Sequence, residues 1–423
     1  MLRVLFFLGW CLLAGPVQAY DTTEVDLGDG DEINLTRFQG AGQTLVLWLP
    51  SERGFGQGYI PVALDLEAMD YDLWTANLHD TYIIPPGRSS LDEMDPEDLL
   101  ALYRYAGEQG FEEVFIVTSG RGVSLALQST YLWQQRNPDD ELIKGLLVFS
   151  PHVFKGHTDM GQDADYTEVS AFSNLPVYML QSQHSVKFAR SQEIAQRLAL
   201  GGSQVFVHYL SGVQGGFYMR PLEDLTQRDL EVRAELADLF ESAFGLLRQI
   251  PHAPLIGGYD PTGKATSTVT RKAPQLYPFS GEKLPPRLVL KDLSGADFDL
   301  QGAGEQVVLV NFWASWCGPC VEEIPSLSRL VARLQHRSFK VVAVNIGESA
   351  DSIRQFLREI PVNFDILLDP HGEAVRDWKV YAYPSNYLLD RNGRIQYAYR
   401  GALEWDAPEI VETIERLIDQ SPG

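Results

Sequence analysis

Two cysteines three positions apart are the residues of this chain best suited to chemistry. Cys317 and Cys320 stand in Trp316-Cys317-Gly318-Pro319-Cys320, and only one other cysteine, Cys11, occurs in 423 residues. Such a pair can close a disulfide and reopen it, which is two-electron chemistry with no cofactor beyond the disulfide itself. As a staple it would do little, because a loop with two intervening residues removes little entropy from the unfolded chain. A zinc centre would need two further ligands, and no second cysteine pair or Cys/His pair lies nearby, so no metal is expected. The flanking residues supply the asymmetry that redox chemistry needs. Val307-Val308-Leu309-Val310-Asn311-Phe312 reads as a buried strand, and Leu327, Leu330 and Leu334 mark the apolar face of a following helix. Cys317 then falls at the helix N-terminus, where the macrodipole and free N–H groups stabilise a thiolate. Cys320, one turn further in, is placed to resolve the mixed disulfide that Cys317 forms.

From about residue 284 to the end, the chain resembles thioredoxin-fold domains of the TlpA type, the exported thiol:disulfide reductases. The likeness rests on Asn311-Phe312-Trp313-Ala314-Ser315-Trp316-Cys317-Gly318-Pro319-Cys320, on Glu323-Ile324-Pro325, and on Tyr383-Pro384-Ser385-Asn386 with the residues through Ile395. It implies a cis Pro384 facing the cysteines, with the Tyr383 backbone left free to pair with an extended substrate and Trp316 beside that ledge. It also implies that Glu323 tunes the pair, although acids are common in the first turns of helices for dipole reasons alone. Gly318-Pro319 is the dipeptide of thioredoxin and implies a comparatively reducing couple. The implied partners are protein thiol and disulfide clients, and a membrane electron donor that re-reduces the pair in an oxidising compartment.

The elements around this site suggest two domains. Arg3 followed by the apolar run Val4–Ala14 and by Val17-Gln18-Ala19 reads as a signal peptide over residues 1–19, too short to span a bilayer. Cys11 would leave with it, and the mature chain would be periplasmic. Residues 251–286 hold seven of the chain's 24 prolines, so 251–283 reads as a linker. It separates a domain over 20–250 from the thioredoxin-like domain over 284–423. Lys plus Arg number 34 against 57 Asp plus Glu, a formal charge of −23, which excludes a nucleic-acid partner needing cationic phosphate contacts.

The first domain alternates short apolar runs, such as Thr44–Leu49, Val114–Val117 and Val177–Leu180, with helical patterns. That alternation predicts an α/β class with a doubly wound, mostly parallel sheet. The stretch Thr118-Ser119-Gly120-Arg121-Gly122 resembles the nucleophile elbow of the α/β-hydrolase fold, which needs small residues two before and two after the nucleophile. Centring on Gly120 satisfies that need and leaves glycine as the nucleophile. The positions expected for the acid, after Leu180, and for the histidine, after the next strand, read Gln181-Ser182-Gln183-His184-Ser185 and Gly212-Val213-Gln214-Gly215-Gly216. The resemblance therefore implies a hydrolase-like domain without its triad, with Ser119 and His184 as an unconventional pair to be tested. Phe55, Arg121 and Phe217 are expected to line its crevice, and His79, His152 and His208 to be core or solvated residues. The resulting expectation is an exported thiol:disulfide oxidoreductase with an appended binding domain. The alternatives are an active esterase or peptidase fused to the redox module, and a redox-sensing scaffold.

Overall fold

Each half of the chain builds its own sheet, because each contains strands apolar enough to be buried on both faces. The structure is a computed structural model that describes residues 20–27, 32–156, 158–260, 275–302 and 305–420. The expected signal peptide, residues 1–19, and the middle of the proline-rich stretch, 261–274, lie outside the described residues.

The first sheet comprises β1 (Asp21–Asp26), β2 (Glu32–Phe38), β3 (Thr44–Trp48), β4 (Asp72–Ala76), β5 (Glu113–Ser119), β6 (Ile143–Phe149), β7 (Val177–His184) and β8 (Val205–Gln214). Their order is β1-β2-β4-β3-β5-β6-β7-β8. The six strands from β3 to β8 are parallel. The first two form an antiparallel hairpin on the β4 edge. Helices cover both faces and bury two apolar clusters, one around Leu45, Leu47 and Ile116, the other around Val46, Trp48 and Phe115. Successive residues of β3 thus point into opposite cores, and its sequence reads as a continuous apolar run. The hairpin escaped the sequence reading because its first strand is largely polar: Asp21, Thr22, Glu24 and Asp26 are exposed, and Val25, Ile33, Leu35 and Phe38 are its buried residues.

The second sheet comprises β9 (Tyr277–Pro278), β10 (Val289–Asp292), β11 (Asp297–Asp299), β12 (Val307–Trp313), β13 (Phe339–Ile346), β14 (Asp365–Asp369), β15 (Ser385–Leu389) and β16 (Ile395–Arg400). The order is β11-β10-β14-β13-β12-β15-β16-β9. Central β12 runs parallel to β13 and antiparallel to β15, which brings residues around 313 and 385 to one end of the sheet.

The stretch read as linker over 251–283 is tied down at both ends. Ala253 and Ile256 accept hydrogen bonds at their carbonyls from Asn174 and Tyr131, and Tyr259 is buried in the first core. On the far side, Tyr277–Pro278 pairs with β16, and Phe279 is buried in the second core.

Candidate active site

β12 ends at Trp313, the chain turns through Ala314-Ser315-Trp316, and the helix Gly318–Arg333 begins with Cys317 as its N-cap. Pro319 sits in the first turn, where its missing N–H costs nothing. The carbonyl of Cys317 accepts the first helical hydrogen bonds, from the N–H groups of Cys320 (2.9 Å) and Val321 (3.1 Å). Cys317 and Cys320 are joined as a disulfide, with their Cα atoms 5.2 Å apart. Cys317 is 9% exposed and Cys320 only 1%, so the outer sulfur is the one that a partner reaches first. Gly318 and Pro319 are exposed beside it. The Trp316 indole meets the Tyr383 ring edge-on at 5.9 Å. The Tyr383–Pro384 peptide is cis, and Tyr383 packs with the two cysteines, Trp313 and Ile324 in one small apolar cluster.

Glu323 lies three residues beyond Cys320 on the same helix, and only 2% of it is exposed. An ordinary surface carboxylate at the start of a helix is therefore excluded. One oxygen accepts from Asn311 Nδ2 (2.7 Å), and the other accepts from Trp405 Nε1 (3.1 Å) and the Leu403 N–H (3.3 Å). Burial pushes its pKa up to about 7, against the pull of these donors. A group that exchanges its proton near neutrality thus sits one helical turn from the inner sulfur. Asn311 also donates to Asn386 Oδ1 at 2.7 Å, which ties β12 to β15 directly behind the site.

The turn before the cysteines has its own anchor. Glu348, buried just after β13, accepts the Ser315 N–H (2.8 Å), the Ser315 hydroxyl and Asn345 Nδ2 (2.8 Å). Glu348 and Trp405 carry no expectation from the sequence, and Asn311 and Asn386 enter it only as members of the quoted motifs. The available signal was a polar residue inside an apolar run, as in Val310-Asn311-Phe312 and Val344-Asn345-Ile346, since a buried amide must find partners.

In the first domain, Gly120 turns between β5 and the helix Gly122–Arg136 with φ +53°, a left-handed conformation that favours glycine. A Cβ there would stand 2.5 Å from Glu52 Oε2, so the Glu52 carboxylate fills the space that a side chain at position 120 would need. The same oxygen accepts the Arg121 N–H at 2.9 Å. Burial alone would raise the Glu52 pKa, but the Lys187 ammonium and the Arg121 N–H hold it below the usual carboxylate range. Ser119 and His184 are not brought together as a pair: Ser119 is buried beside Tyr218, whereas His184 stacks on Trp316 of the other domain. The expected crevice is also corrected. Phe217 is fully buried in the core and cannot line an opening, and Arg121 turns to the Gly156 carbonyl (3.2 Å). Buried His79 bonds Ser90 (2.9 Å) and His208 bonds Tyr178 (2.9 Å).

Residues 281–398 match the model of the AhpC/TSA family. Relatives cover about a third of the chain: the thioredoxin-like protein YneN of Bacillus subtilis is 38% identical over 121 residues, 28% of this chain and 70% of that protein. The thiol-disulfide oxidoreductase ResA of Geobacillus kaustophilus is 30% identical over 134 residues, 32% of this chain and 74% of the relative. The chain belongs to the thioredoxin-like thiol-disulfide oxidoreductases. Among solved structures, StoA of Bacillus subtilis is 24% identical, covering 32% of this chain and 98% of that one with a TM-score of 0.27.

For a thiol-disulfide oxidoreductase the arrangement supplies each required part. An outer sulfur sits at a helix start and an inner sulfur lies one turn behind it, and the buried Glu323 follows three residues further along the same helix. Among the described residues no group of three or more His, Cys, Asp or Glu could hold a metal, and no helix is long and apolar enough to cross a membrane.

Proposed function

We propose that this oxidoreductase is an exported reductase of protein disulfides. In the reduced state the Cys317 thiolate attacks one sulfur of a client disulfide, a new Cys317–client bond forms, and the client's other sulfur leaves as a thiolate that takes up a proton. Cys320 then attacks Cys317 Sγ, which closes the intramolecular disulfide and frees the second client thiol. Two electrons pass to the client, and a membrane dithiol donor returns them. The observation that carries this reading is the difference between the two sulfurs, one at the accessible helix N-terminus and one enclosed behind it. Arg3, the apolar run after it and Val17-Gln18-Ala19 support export. The roles assigned to Trp316, Gly318, Pro319, Glu323, Tyr383 and Pro384 in shaping or tuning the site belong to the same proposal.

The first domain is proposed to be hydrolase-like in fold and to bind without hydrolysing. Its glycine turn between strand and helix supports the first part, and the Glu52 carboxylate in the space that a side chain at position 120 would need supports the second. The direction of electron flow is tested by equilibrating the pair against glutathione and dithiothreitol buffers. A potential near that of thioredoxin, about −270 mV, is expected, whereas one near the about −120 mV of a strong oxidant would contradict the assignment as a reductase.

A further inference from the structure

The ledge beside the cysteines is not open. The His184 ring, at the end of β7, lies on the Trp316 indole with centroids 5.8 Å apart and planes within 11°. Beside it, Gln183 Nε2 donates to the Gly347 carbonyl (3.0 Å). The Arg190 guanidinium sits 3.9 Å over the Tyr381 ring, two residues before Tyr383. Arg376 donates to the Ala189 carbonyl (2.9 Å), and Ala189 is buried in the core of the thioredoxin-like domain. Gly372 permits this contact, since a Cβ there would come within 2.4 Å of Ala189 Cβ. Farther out the seam mixes apolar packing, as of Tyr381 on Phe154 (5.5 Å), with polar contacts such as the exposed ion pair Lys379–Asp163 (2.8 Å). The side of Cys317 that remains free is the Gly318–Pro319 side.

We infer that the first domain is a client filter for the redox site, with His184 as its specificity-determining residue. A slender disulfide, in a small molecule or at the tip of a flexible peptide, reaches Cys317 from the Gly318–Pro319 side. A disulfide flanked by folded chain needs the ledge at Trp316 and Tyr383, and so needs the His184–Trp316 stack broken. The seam also buries apolar side chains, with Ala189 in the second core and Tyr381 against the first, so the parting is local to the His184–Trp316 stack, and an aromatic pair is a modest barrier to break. This inference deepens the proposed reductase and rests on it.

The test is a single turnover of the fully reduced full-length protein against two disulfides, insulin and hydroxyethyl disulfide. Electrons come from the Cys317/Cys320 dithiol alone, so each reaction balances at one client disulfide reduced per pair oxidised. His184→Ala should raise the ratio of insulin rate to small-disulfide rate by roughly two- to tenfold, the range that an aromatic pair spans. Asp163→Lys, which sets two ammonium groups against each other across the seam, should move the ratio in the same direction. It alters only an exposed position, so it decides the matter if His184→Ala loses its native circular dichroism. An unchanged or lower ratio in the folded variants would overturn the filter while leaving the reductase standing. Failure of the wild type to reduce hydroxyethyl disulfide would overturn the reductase reading, and the filter with it.

Discussion

At the scale of single residues, the site separates two sulfurs by burial and places a buried carboxyl, its pKa raised by that burial, one helical turn beyond the inner one. Cys317, capping the helix Gly318–Arg333, should have a thiol pKa below the free value of about 8.5. Alkylation of the reduced protein by iodoacetamide across pH reads this directly, and faster modification of Cys320 would reverse the roles. Glu323 makes a second prediction. Its folded pKa is raised to about 7, so folding favours its neutral form. The associated stability is fully present below about pH 4.5, and about 3 kcal/mol of it is lost as pH climbs through 7. Glu323→Gln should flatten the urea-unfolding free energy between pH 5 and 8 relative to wild type, and an unaltered slope would contradict the raised value. The cysteines were legible from type and spacing alone. The surroundings of Glu323 were not, because Trp405 and Leu403 lie about 80 positions away in sequence and only the fold brings them to the carboxyl.

At the scale of elements, the strand-to-helix turn recurs in both domains with opposite consequences. After β12 the turn presents a sulfur at a helix start, whereas after β5 it presents Gly120 with Glu52 lying across it. The third prediction follows from that contact. Gly120→Ser alone should destabilise the protein, because its Cβ would meet Glu52 Oε2 at 2.5 Å at a left-handed φ. The double variant Gly120→Ser, Glu52→Ala should recover part of that loss in a denaturant titration. It should hydrolyse no p-nitrophenyl ester, since an unassisted hydroxyl is a weak nucleophile. Ester turnover by the wild type, abolished by Ser119→Ala, would contradict a non-hydrolytic domain. The parallel strands were readable because burial on both faces writes continuous apolar runs. The hairpin β1–β2 was not, because one polar face and a single inward row leave too weak a pattern in Asp21–Asp26.

At the scale of the whole molecule, the two sheets are joined by a seam that no periodicity or motif announces. His184 drew notice as a partner for Ser119, yet it lies on Trp316. Its role depends on how the domains face each other, and that is decided by contacts spread over residues such as Gln183, Arg190, Arg376 and Tyr381. The proline-rich stretch was legible as a joint, but not how far each domain would draw in its ends, since Tyr259 and Phe279 become core residues only through distant partners. All of this arrangement bears on one chemical claim, that Cys317 forms the bond to the client and Cys320 releases it. The most direct measurement is peptide mass mapping of the full-length Cys320→Ser variant after reaction with a disulfide client. The account predicts a stable mixed disulfide mapped to Cys317 and none on the Cys317→Ser variant. An adduct on Cys320 in Cys317→Ser, with none on Cys317 in Cys320→Ser, would contradict it.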